Sequence, residues 1–220
     1  MAPIMPTTTE ASQLLLLLTW MSPAFPTGAF AYSHGLEWAI DTGTVRNADD
    51  LKSWIGDLIT QGSGWNDSVI FARCWEDDPA ELNALALALA TSRERHLETT
   101  QLGRAFRIAA GVFAAPVLTE EEIAYPVAAG TACAAMGIGR DHALLAYLQG
   151  FAASLTSVAV RLVPIGQTAG LEVLRDLAPV ISATAQRAAK ASLSELGAIT
   201  LLADIAAMNH EIQHSRVFRT

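Results

Sequence analysis

A helical rhythm with no competing strand rhythm constrains this chain most. Leu51, Trp54, Ile55, Leu58 and Ile59 recur at i, i+3, i+4, i+7 and i+8, the spacing that gathers apolar side chains on one helix face. Asn47, just ahead of them, is of the type that caps a first turn. Leu82, Leu85 and Leu89 mark a second stripe. Ser192 and Glu195 form a capping box, which predicts a helix running from there to about Met208. No comparable run of strict apolar–polar alternation occurs, so the predicted fold class is all-α.

The breaks in the rhythm divide it into elements. Thr119 with Glu122 also fits a capping box, but Pro126 would then fall inside the helix, removing a hydrogen bond and clashing with the preceding turn; a start at Pro126 is predicted instead. Gly137-Ile138-Gly139 reads as a stop and Asp141 as the next cap. The helix from Ala143 to Arg161 should end before Pro164, and Pro179 should separate two more. No internal repeat, Pro/Gly/Ser-rich linker or long charge run splits the sequence. Residues 1–220 are therefore expected to form a single compact domain of roughly eight to ten helices, with flexible ends at 1–9 and 209–220.

A chain of 220 residues buries enough surface to fold without disulfide or metal support. Its net charge is −8 and its basic residues are scattered along the sequence, which argues against a nucleic-acid partner. At 51% apolar and 16% charged it is more hydrophobic than an average soluble domain, which suggests surfaces covered by other proteins. Cys74 and Cys133 stand alone in apolar text and read as reduced, buried side chains of a cytoplasmic protein. Leu14 to Leu18 is no export signal, because Glu10 and no Lys or Arg precedes it. Ala143 to Val160 carries no charge, yet Gln149, Gly150, Ser154, Thr156 and Ser157 dilute it; a central bundle helix is expected, and no membrane.

Three segments carry more specific information. In Ser22-Pro23-Ala24-Phe25-Pro26-Thr27-Gly28-Ala29-Phe30-Ala31-Tyr32-Ser33-His34-Gly35-Leu36-Glu37, the prolines force an extended entry, after which Thr27 is expected to cap a helix carrying Phe30, Ser33, His34 and Glu37. Gly28, Ala31 and Gly35 would share one face of that helix, giving either a tight packing corner or a contact surface for a partner. Ser33 beside His34 is not a hydrolase elbow, since Ala31 replaces the first glycine and no strand precedes it. Arg161, Gln167 and Gly170 surround the Pro164 break, where backbone groups are free either to bind a partner or simply to form a loop. No phosphate-binding Gly-x-x-x-x-Gly-Lys-Ser/Thr loop is present, so the chain should not hydrolyse GTP.

His210-Glu211-Ile212-Gln213-His214 fits the zinc-peptidase pattern, in which two histidines on one helix face bind zinc and the glutamate activates water. That reading, a zinc metallopeptidase, is the alternative to a non-catalytic protein. Against it, the motif stands six residues from the end with no third ligand after it and no strand to hold a peptide.

Taken in order, these segments resemble the UreF family. The resemblance rests on Ser22 to Glu37, Arg93-Glu94, Gln101-Leu102-Gly103-Arg104, Tyr125-Pro126-Val127 with Gly130, and Val160-Arg161-Leu162-Val163-Pro164-Ile165-Gly166-Gln167-Thr168-Ala169-Gly170. It ends with Ser192 to Gly197, Met208-Asn209-His210-Glu211 and Ser215-Arg216-Val217-Phe218-Arg219. His34 departs from the Gln and His214 from the aromatic residue often found there; the second departure creates the peptidase-like pattern. The resemblance implies a dimeric, non-catalytic urease accessory protein. Its partners would be a UreD/UreH scaffold, the GTPase UreG and apo-urease. It would gate the GTPase, bind no cofactor tightly, and pass nickel only through the assembled complex. Partner contacts are expected at Ser22, Pro23, Pro26, Gly28, Phe30, Ser33, Gly35, Glu37, Arg161, Gln167, Gly170, His210, Glu211, Ser215, Arg216, Phe218 and Arg219. The C-terminal tail is expected to become ordered only on the scaffold, with Val217 and Phe218 as its apolar anchor; the alternative is that the tail packs on its own domain.

Overall fold

Asn47 caps the helix that follows it as its sequence predicts: its side chain accepts the Asp50 amide at 3.0 Å, and Leu51, Trp54, Ile55, Leu58 and Ile59 are all buried on the inner face. Each such side chain contributes about 1.5–3 kcal/mol by leaving water. The computed structural model describes residues 10–113 and 121–219. The expected loose end at 1–9 and Thr119 of the second capping box lie outside the described residues.

Among the described residues there are ten α-helices, two 3-10 turns and no strand, and they form one domain. The helices are α1 Glu10–Trp20, α2 Leu36–Asp41, α3 Ala48–Gln61, α4 Ser63–Arg73, α5 Pro79–Ala88, α6 Arg93–Ala110, α7 Tyr125–Ala135, α8 Arg140–Leu162, α9 Gly166–Ala188 and α10 Leu201–His210. The 3-10 turns span Ala29–Ala31 and Leu193–Glu195. α8 packs along α9, α6 along α7 and α3 along α9, with α4 among α3, α7 and α8. A row of rings, Trp20, Phe106, Tyr125, Tyr147 and Phe71, crosses the core from α1 to α4 with centroids 4.8–5.8 Å apart, within the range of favourable aromatic pairing. α8 is long and apolar enough to cross a membrane, but half of its most apolar stretch is buried among its neighbours.

Four sequence expectations are corrected. No helix runs from Thr27 to Glu37: after the 3-10 turn the chain reverses through His34 at φ 53° and Gly35 at φ 73°, so Gly28, Ala31 and Gly35 share no helical face. The Ser192–Glu195 capping box exists, but it closes only the 3-10 turn; Gly197 at φ 95° ends it and α10 starts at Leu201. Gly139, not Asp141, occupies the cap of α8. Pro179 lies inside α9, where the partner it removes belongs to the carbonyl of Arg175; both residues are exposed, so water replaces the lost bond.

The segment after Met208, expected to be loose, turns back and is seated on its own domain, with His210 fully buried and Phe218 5% exposed within the core.

Candidate functional site

The tail is held by a buried cluster of charges that sequence separation conceals. Glu37, in the first turn of α2, accepts the amides of Val217 and Phe218 at 2.7 and 2.8 Å, one on each carboxylate oxygen. His210, the last residue of α10, places Nε2 3.2 Å from Glu37 and Nδ1 2.7 Å from Glu94. Arg216 reaches the other Glu94 oxygen at 2.9 Å. The buried His210 ring thus stands between the two carboxylates, with Arg216 reaching in from the surface to the second of them. Glu211 faces the Glu94 amide at 3.4 Å, and the Arg219 amide donates to the Ala31 carbonyl at 2.7 Å.

Gly35 makes this approach possible. A Cβ there would stand 2.6 Å from the Ala207 nitrogen, so α10 crosses directly over the backbone turn before α2. The corner is thus a close helix packing, one of the two readings its small residues allowed.

Beside the cluster lies a cavity of about 60 Å³, lined by Tyr32, His34, Asp67, Arg95, Glu98 and Tyr147 among others. Arg95 contacts Glu98 at 2.7 Å, and His34 Nδ1 stands 2.9 Å from Glu98, although neither ring nitrogen of His34 has an aligned hydrogen-bond partner. Burial opposes the Glu98 charge, but His34 and Arg95 outweigh it and hold the carboxyl at about 2. Burial pushes Asp67 upward against the pull of Arg95 and His34. Burial also drives the Cys74 thiol to about 12 and the Cys133 thiol well above its ordinary value, so neither is a thiolate at neutral pH.

The predicted residues divide accordingly. Glu37, His210, Glu211, Arg216, Phe218 and Arg219 converge on the tail; Arg161 joins them with its guanidinium 5.9 Å from the Phe218 ring centre. Ser33 is buried, its hydroxyl accepting the Glu37 amide at 3.4 Å. Ser22 and Pro23 line the adjoining cavity. Pro26, Phe30, Gln167 and Ser215 are exposed, and Gly28 has open space around it at φ 79°. Gly170 is buried where its Cβ would meet Val160 at 2.8 Å, a helix-packing position between α8 and α9. Phe218 fills the domain's own core, leaving Val217 as the tail's outward apolar residue.

Sequence reasoning missed Glu94, Glu98 and Arg95 as parts of the site. Their signal was available: Glu94 and Glu98 precede Leu102 and Phe106 at intervals of four, placing two carboxylates on the buried stripe of α6.

The peptidase geometry is absent. α10 ends at His210, so His214 lies in the following irregular segment, exposed, and the two histidines do not share a helix face. Among the described residues, no group of three or more His, Cys, Asp or Glu side chains is arranged to hold a metal ion.

Comparison with known proteins places these observations in a family. A sequence model of the UreF family matches residues 45–178. The chain is 44% identical over 214 residues to a urease accessory protein UreF of Mesorhizobium japonicum, covering 94% of this chain and 96% of the relative. It is 44% identical over 221 residues to urease accessory protein UreF 1 of Brucella anthropi, covering 97% of each. It is 43% identical over 221 residues to a urease accessory protein UreF of Brucella ovis, again covering 97% of each.

Proposed function

The chain belongs to the UreF family of urease accessory proteins, and on that premise we propose that it bridges a UreD/UreH-type scaffold and the GTPase UreG during GTP-dependent nickel insertion into apo-urease. It acts without catalysis of its own, in the cytoplasm, as a homodimer within that assembly. It binds no cofactor tightly, and nickel is cargo of the assembled complex.

One observation carries this reading. The inner side of α10 (Ala203, Ala206, Ala207 and His210) is buried, while Leu201, Leu202, Ile205, Met208 and, just beyond the helix, Ile212 stand exposed at helical intervals. An exposed apolar stripe of that length on a helix whose other side is buried is a protein-docking surface. Val217 is a further exposed apolar residue, because the capture of the tail by Glu37 turns Phe218 inward and leaves Val217 outside. The scaffold is the occupant we assign, and the buried ion cluster presents the stripe in a fixed position. Arg161 and Gln167, exposed on either side of the Pro164 break, are assigned to dimer or partner contacts. Gating of the GTPase then follows from holding it beside the scaffold.

Truncation after His210, and separately Ile205→Asp with Met208→Asp, tests the assignment by co-purification with the scaffold. Both should abolish or strongly weaken the complex. Full-strength binding by either would refute docking through α10 and the tail.

A further inference from the structure

A second face of the molecule has the character of a docking seam, and it lies on α6. Arg93, Leu97, Gln101, Arg104 and Ile108 are all exposed and follow one another at intervals of four, four, three and four, so they form a single stripe along this helix. From Leu97 to Ile108 the spacing is that of a coiled-coil seam. Leu97 is 43% and Ile108 64% exposed, which is high for large apolar side chains on a helix whose opposite side is core.

The charge on this stripe is one-signed. The two carboxylates of α6, Glu94 and Glu98, are buried on the other side and bound to His210 and Arg216, and to His34 and Arg95. What α6 presents fully to solvent is therefore arginine, leucine, isoleucine and one glutamine, with no carboxylate, in a chain whose net charge is −8. The tail adds a further cation at mid-stripe, where Arg219 Nη1 lies 3.4 Å from Gln101 Oε1. The basic residues are scattered in sequence, but the fold gathers several of them here.

We propose that the α6 stripe binds a helix of a partner protein that carries Asp or Glu beside apolar residues. The inference rests on the accessory-protein reading and assigns that assembly a contact separate from α10. A second copy of this chain is disfavoured as the occupant, because the exposed face of α6 carries no carboxylate to pair with the arginines of a facing copy.

The test compares the wild-type chain with Arg93→Glu/Arg104→Glu and with Leu97→Asp/Ile108→Asp. Each is measured for binding to purified scaffold and to purified UreG separately, at low and high salt, with sedimentation and thermal melting as controls. The proposal expects both variants to fold and to lose roughly tenfold or more in affinity for one of the two partners, with that wild-type contact also weakened by salt. Should either double variant fail to fold, Arg93→Ala and Arg104→Ala singly carry the same expectation at smaller amplitude. Wild-type affinity for both partners in all variants would overturn the proposal. A change confined to self-association would also overturn it, in favour of a second copy. If the wild-type chain binds neither partner, the accessory reading falls and the stripe falls with it; partner binding that is indifferent to the stripe removes the stripe alone.

Discussion

The Glu37 carboxylate holds the amide of Val217, 180 positions further along the chain, at 2.7 Å. Its second oxygen holds Phe218 and faces His210, so one buried side chain ties α2 to α10 and the tail. Glu37→Ala leaves two amides and one side of His210 without partners. It should cost about 3–5 kcal/mol in urea unfolding, as for a broken buried ion pair, and expose the tail to trypsin at Arg216 and Arg219. Glu37→Gln keeps an acceptor and should cost less. Wild-type stability and protease resistance in the alanine variant would show that the tail is held elsewhere.

The Glu98 carboxyl makes an acid-sensitive contribution. Its ordinary value of 4.5 falls to about 2 in the folded chain because His34 and Arg95 outweigh its burial. A lowered carboxyl stabilises the fold above the unfolded value and loses that contribution as pH drops through the folded one. The stability difference between wild type and Glu98→Gln should therefore be constant above about pH 5.5 and shrink by on the order of 3 kcal/mol between about pH 4.5 and 2. A difference that does not depend on pH across that window would contradict the assignment.

Two glycines with similar backbones should respond differently to alanine. Gly28 at φ 79° has open space, so Gly28→Ala should cost roughly 1–2 kcal/mol of backbone strain and nothing in packing. Gly35 at φ 73° adds a contact of 2.6 Å with the Ala207 nitrogen, so Gly35→Ala must lift α10 and should cost clearly more. Thermal melts of the two variants decide it, and equal losses would mean that α10 does not depend on the crossing at Gly35.

The regular helices were legible where cap and stripe agreed, as for Asn47 with Leu51 to Ile59, and at Pro126, which lies in the first turn of α7. Errors arose where a local signal was real but short in reach. Ser192 and Glu195 do cap a turn, yet nothing in the pattern revealed that Gly197 would adopt φ 95° and end it. Pro179 was read as a breaker because the sequence does not show that it would face water. The ion cluster was out of reach altogether: His210 meets Glu94 across 116 positions and Glu37 across 173, and only the tertiary fold brings them together. The family and its order of motifs were readable; the partner of each motif inside the molecule was not.

The His-Glu-x-x-His pattern yields its own check. With His210 buried between two carboxylates and His214 exposed beyond the helix, His214→Tyr should leave zinc content and urease activation unchanged. Stoichiometric zinc in the wild type that disappears in the variant would restore the peptidase alternative.

The central claim is that this chain matures urease through the exposed face of α10. Its most direct test is urease activity in cells lacking their own UreF, complemented with the wild-type chain or with Ile205→Asp/Met208→Asp, both confirmed as folded. Restoration by the wild type and loss in the variant is the predicted result. No restoration by the wild type, or equal restoration by both, would contradict it.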